Sequence, residues 1–385
     1  MKHFASFFIL LFSLFILSCT AETPQTDEPM PDPPMAETPE TEDPMPDPDP
    51  PAEIPQDRYF PPIGSNSWES IDPELLGWDQ DQKDQLLAYL AGTGTKGFIV
   101  LKNGRIAIEE YLNGHSKDSD WYWASAGKTL TAFTVGLAQQ QGHLDIATRS
   151  SEYLGVGWTS IPGDKEFLIK VENQLTMTSG LQSLNFDCIT PQCLTYVADS
   201  GTRWAYHNGP YTLLQRVVSN AANQEYDIYF DTELKNRIGM DGFWSTTNGL
   251  NSVYFSTTRS MARFGLLNLN NGSWDDIPIL TDMDFEVQMR TPSQDINLSY
   301  GYLWWLNGQA SFMAPGAQTV FDGPLVPNAP ADMYAGLGKN DQKLYVVPSE
   351  ELVIVRMGED SGENLLGPSS YDNELWGILS QMMNL

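Results

Sequence analysis

Ser125 and Lys128 stand three positions apart in Ser125-Ala126-Gly127-Lys128, which runs directly into the helix-like stretch Thr129 to Gln141. On a helix that spacing puts hydroxyl and amine on one face, close enough for a proton to pass between them. A serine hydroxyl is a poor nucleophile at neutral pH. A lysine can take its proton only if the amine is substantially neutral, which burial, a neighbouring cation or a helix N-terminus can arrange. A purely structural account also fits the tetrad, with Ser125 as a helix N-cap and Lys128 exposed. A phosphate-binding loop does not fit, because it needs a glycine five positions before Gly127 and position 122 is Tyr.

The flanking text decides between the two accounts. It comprises Trp123 to Ala132, the glycine exit Gly142-His143-Leu144-Asp145, Gln174 to Leu181 ending in Thr-Ser-Gly-Leu, Ser256 to Gly265, and Tyr300 to Trp305. From about Tyr59 to the C-terminus this text resembles the serine beta-lactamase and penicillin-binding-protein-like hydrolases. The resemblance implies acyl transfer on Ser125 with Lys128 as base. The family's second motif is Tyr-x-Asn, whose tyrosine relays a proton and whose asparagine orders the lysine and substrate. Three matches occur: Tyr111-Leu112-Asn113, Tyr206-His207-Asn208 and Tyr371-Asp372-Asn373. Only the second follows the Ser125 helix at the family's usual distance, so the resemblance assigns Tyr206 and Asn208. A histidine triad would have to draw on His115, His143 or His207, and no Gly-x-Ser-x-Gly elbow is present.

The third motif departs from the family. Where beta-lactamases carry Lys-Thr-Gly or a histidine variant, this chain has Met333-Tyr334-Ala335-Gly336-Leu337-Gly338, without a cation. The resemblance implies that this strand offers an oxyanion-binding N–H from Tyr334, Ala335 or Gly336, beside the Ser125 N–H. The missing cation weakens the case for carboxylate-bearing beta-lactams. It points instead to the esterase and 6-aminohexanoate-dimer hydrolase branch. Trp304, with Trp305 beside it, is expected to wall an apolar acyl pocket, with the core as the other place for either ring.

The elements that must hold these residues are legible at both ends of the chain. Gly97 to Tyr111 reads as two strands around Asn103-Gly104, and Lys343 to Met357 as a second hairpin around Pro348 to Glu351. Tyr371 to Met383 has helical spacing. The expected fold is therefore α/β (α+β). An antiparallel sheet formed by both termini is flanked by helices, with an all-helical subdomain inserted after the Ser125 helix.

Before the domain at 58–385 the chain reads differently. Residues 1–18 have the pattern of a secretion signal, with Lys2 and His3 ahead of an apolar run too short to span a membrane. Ile16-Leu17-Ser18-Cys19 resembles the bacterial lipobox, which makes Cys19 a lipidation site and the mature N-terminus. Between Thr20 and Asp57 lie twelve acids, twelve prolines and no basic residue, in an imperfect repeat of Ala21 to Pro33 at Ala36 to Pro48. Such a segment cannot pack; extended, it tethers a domain up to roughly 100 Å from its anchor.

The formal charge of the whole chain is -29, which argues against nucleic acid as a partner. Cys188 and Cys193 remain once Cys19 is set aside. In an exported protein the pair favours a disulfide, and no histidine stands at zinc-ligand spacing nearby. No metal or cofactor is expected. The sequence thus predicts an exported, lipid-anchored serine hydrolase, facing the periplasm or the cell surface. Its substrate would be a small or short oligomeric ester or amide. Beta-lactamase or D-alanyl carboxypeptidase activity is the alternative, and a non-catalytic sensor of the same fold is the alternative of another class.

Overall fold

In chain order the elements that build and position the site begin with helix α1 (Gln80–Gly92), whose N-cap Asp79 accepts from Gln82 N. Strands β1 (Thr95–Lys102) and β2 (Arg105–Tyr111) follow. Asn103 and Gly104 between them both adopt positive φ, 48° and 75°, the two-residue turn whose twist suits a hairpin. Next come α2 (Lys128–Gln140), α3 (Asn208–Ala222) and α4 (Thr258–Leu269). Four strands, β3 (Trp305–Leu306), β4 (Tyr334–Gly338), β5 (Gln342–Val347) and β6 (Leu352–Gly358), precede the last helix, α5 (Ser370–Met383). This computed structural model describes residues 54–185, 187–247, 251–362 and 367–385. Residues 1–53, on which the expected secretion signal, Cys19 and most of the expected linker fall, lie outside the described residues.

The six strands form one antiparallel sheet in the order β2-β1-β6-β5-β4-β3. Both ends of the chain therefore meet at the β1–β6 pair, as expected. Every residue of β5 and β6 is buried, the mark of strands covered on both faces. On one face α4 lies across them. On the other, Trp376 of α5 meets Tyr345 edge-on at 5.6 Å, and Tyr371 stacks on Tyr89 of α1 at 5.5 Å.

A buried ion pair joins α5 to this core. Lys343 Nζ lies 2.8 Å from Asp372 Oδ2, and Tyr345 donates to Asp372 Oδ1 at 2.6 Å. Arg356 clamps the turn after β4, donating to the carbonyls of Asn340 and Asp341 at 2.9 and 3.0 Å. Both of those residues hold positive φ, so the clamp fixes a turn that would otherwise relax.

Between α2 and α4 the chain is helical through Lys235, with its own small apolar cluster of Trp158, Ile169, Leu181, Leu194 and Leu213. The insertion is not wholly helical. Phe243–Thr247 and Asn251–Ser256 pair as strands, and the second pairs with Trp121–Tyr122 just before the serine. At the other end, Pro55 O and Asp57 O already accept from Asn103 and Arg105, ahead of the boundary placed at Arg58.

Candidate active site

Ser125 sits in a 3-10 turn, Ala124–Gly127, that leads into α2 rather than in the helix itself. Trp123 anchors that turn: its N–H donates to Tyr254 O and its indole to Ser256 Oγ, each at 2.8 Å. Ala124 holds φ 46°, a left-handed conformation that costs a non-glycine residue on the order of 1 kcal/mol. The consequence is a half-buried Ser125 held in the turn ahead of the helix.

Lys128 is 2 % exposed, and its Nζ donates to Ser125 Oγ at 2.8 Å. Burial pushes this amine down from 10.5 to about 7, while the Asp187 carboxylate pulls it part of the way back. A hydroxyl and an amine that is partly neutral at pH 7, within hydrogen-bond reach, form a nucleophile and base able to exchange a proton near neutral pH.

Tyr206 is also buried and hydrogen-bonds Ser125. Burial raises its phenol, and the Ser125 contact opposes that rise. The Lys128 amine lies 4.8 Å from the Tyr206 ring and 4.4 Å from that of Tyr211. Tyr211 was not anticipated. It lies three residues after Asn208 on α3, so the helical period that places Asn208 could have found it. Asn208 opens α3 and donates to Asp187 Oδ1 at 2.7 Å; among the described residues nothing donates to its buried Oδ1. His207, between the two motif residues, is buried and pushed down to about 4, which leaves a neutral ring. Cys188 and Cys193 stand at disulfide distance, their Cα atoms 6.2 Å apart.

Two expectations need correction. Trp304 does not wall the site: it is fully buried, stacked on Phe264 at 6.1 Å and edge-on to Tyr334 at 5.1 Å. Neighbouring strand residues face opposite ways, and it is Trp305 that stacks on Tyr206, at 5.8 Å and 24°. Trp305 is itself buried, and with Tyr300 and Trp204 it forms an aromatic cluster packed behind Tyr206.

The second correction concerns the oxyanion donor. Ala335 pairs with Trp305 of β3, and Met333 O accepts from Asn307 N on the same side. Alternation then turns Tyr334 and Gly336 toward β5, so the free edge beyond β3 presents the N–H groups of Leu337 and Lys339. The Tyr334 hydroxyl is used in the core, donating to Asn268 O at 2.9 Å.

Gly338 marks where β4 meets the serine turn. A Cβ there would lie 2.5 Å from Trp123 O and 3.1 Å from Ala126 N. Gly338→Ala is expected to push the strand off the turn and lower kcat by about 10²-fold with little change in KM, measured by steady-state ester hydrolysis.

A sequence profile of the family described as Beta-lactamase matches residues 84–369. No curated protein matches the chain in sequence. Among solved structures, a protein assigned as a beta-lactamase from Bacteroides dorei DSM 17855 is 17% identical, with a TM-score of 0.64, covering 80% of this chain and 100% of its own. One assigned as a 6-aminohexanoate-dimer hydrolase from Bacillus anthracis is 18% identical, with a TM-score of 0.59, covering 77% and 80%. A family VIII carboxylesterase is 12% identical, with a TM-score of 0.60, covering 80% and 97%. At these identities the likeness is one of fold.

Proposed function

Because the chain belongs to the Beta-lactamase family, a family of serine hydrolases, we propose that it cleaves an ester or amide bond through an acyl-enzyme on Ser125. The observation that carries this reading is the 2.8 Å contact between the buried Lys128 amine, held down at about 7, and the Ser125 hydroxyl. Ser125 Oγ attacks the substrate carbonyl while Lys128 takes its proton. The oxyanion that forms is met by the Ser125 N–H and by an N–H on the free edge of β4. Tyr206 passes a proton to the leaving group as the tetrahedral intermediate collapses to the ester on Ser125. Water then repeats the sequence and releases the acid. Asn208, with its unoccupied Oδ1, offers an acceptor to a substrate N–H or to the lysine.

The substrate class follows from what lines the site. All of β4 is buried and carries no cation, while Lys339 beyond it is exposed. Behind Tyr206 the buried rings of Trp305 and Tyr300 give the Ser125 surroundings an apolar backing, which favours uncharged acyl groups. The carboxylesterase and the 6-aminohexanoate-dimer hydrolase among the structural neighbours support the same class. Export and lipid anchoring through Cys19 belong to the proposal too; a cysteine pair at disulfide distance suits an oxidising compartment.

The test is a panel of p-nitrophenyl esters of varied acyl length run beside nitrocefin, with peptide mapping of a fluorophosphonate adduct. The adduct is expected on Ser125, with ester turnover exceeding nitrocefin turnover by at least about 10²-fold. Nitrocefin turnover equal to that of the esters would move the assignment to beta-lactams, and an adduct elsewhere would end it.

A further inference from the structure

The loop closed by Cys188 and Cys193 lies against the start of α3. A Cβ on Gly209 would stand 2.2 Å from Cys188 O, so the helix's first turn fits flush beneath that carbonyl. The residue just before Cys188 is Asp187, exposed on its outer side and bonded to the Asn208 amide at 2.7 Å. We infer that Asp187 is a positioning residue for the Ser125–Lys128 pair, held by the cysteine-closed loop so that its carboxylate orients Asn208 at the start of α3 and offers the buried amine a counter-charge.

The neighbours of the lysine leave that part to Asp187. Ser125 faces the amine from its own turn, and Tyr206 and Tyr211 present ring faces from α3 and its approach. Tyr300 stands behind Tyr206, edge-on at 6.3 Å, and burial keeps all three phenols protonated. β4 brings only Gly336, Leu337 and Gly338 toward the turn, none of which titrates. Arg203 acts on His207, whose ring is neutral. Asp187 is the charge that acts on Lys128, and it favours the ammonium. Asp187 therefore opposes, without cancelling, the burial that makes Lys128 a base.

This inference rests on the acyl-enzyme reading above, and fluorophosphonate labelling separates the two because it needs no natural substrate. The labelling rate of the purified chain is followed across pH for wild type, for Asp187→Asn, and for wild type under reducing conditions. Asparagine keeps an acceptor for the Asn208 amide and removes the charge. Wild-type labelling is expected to rise through a midpoint near about 7. In Asp187→Asn the midpoint moves to lower pH, making labelling about threefold faster than wild type near pH 6. Reduction of Cys188–Cys193 shifts the midpoint the same way, because the released loop carries the carboxylate off. A midpoint unmoved by both changes overturns the inference, including the case where labelling slows equally at every pH, as a merely structural role would give. Wild-type chain that never labels at Ser125 overturns the acyl-enzyme reading itself.

Discussion

Ser125→Ala is expected to abolish turnover of p-nitrophenyl esters, with kcat falling by about 10³-fold or more to the level of whatever the oxyanion donors achieve alone. Among the described residues, the site's side-chain contacts converge on Ser125. Lys128 and Tyr206 both converge on its oxygen, and His207 is buried with a ring already neutral. The fold should tolerate the change. The serine is half-buried, and its removal takes a hydrogen-bond partner from Lys128 and another from Tyr206, a cost of about 2 kcal/mol or a Tm lower by a few degrees. A variant keeping a tenth of wild-type turnover with an unchanged Tm would mean that catalysis lies elsewhere.

How much of this was legible in sequence depended on the range over which each signal acts. The Ser125–Lys128 pair and the two terminal hairpins are local: three residues of spacing, or a positive-φ turn at Asn103 and Gly104, carry them. Tyr206 and Asn208 were placed by motif; both sit where α3 begins, Tyr206 with its ring under the lysine amine and Asn208 bonded to Asp187. The failures belong to strand faces. Trp304 and Trp305 are adjacent and chemically alike, and β3 is two residues long, too short for a period to tell inside from outside. Which ring reaches Tyr206 is settled by pairing with β4, where Leu306 meets Tyr334 and Trp305 meets Ala335, a distant contact no local pattern encodes. The oxyanion donor slipped for the same reason, since a shift of one residue reverses the side to which an N–H points. Asp187 carried no signal at all: an acid in a polar loop is ordinary until the loop is seen folded onto α3.

Lys128→Met should abolish the activity and stabilise the protein, and the two effects share one cause. Burial holds the amine at about 7 against 10.5 when free. Between those values the unfolded chain binds a proton that the folded chain does not, so stability rises with pH across that window. Below about pH 7 both forms are protonated and the folded state bears the full penalty of a buried ammonium, on the order of a few kcal/mol. Methionine nearly matches the lysine stem in length and carries no charge, so it fills the slot between Tyr206 and Tyr211 without that penalty. The expected result is a Tm above wild type at pH 7 and a weaker rise in Tm from pH 7 to 9.5, with turnover down by about 10³-fold. A variant less stable than wild type at pH 7 would mean that the contact with Ser125 and the two rings outweigh desolvation, and the amine would then be an ammonium at neutral pH. The stability cost and the catalytic base are one property of the site. A lysine comfortable in its folded surroundings would keep its proton and leave Ser125 an ordinary alcohol.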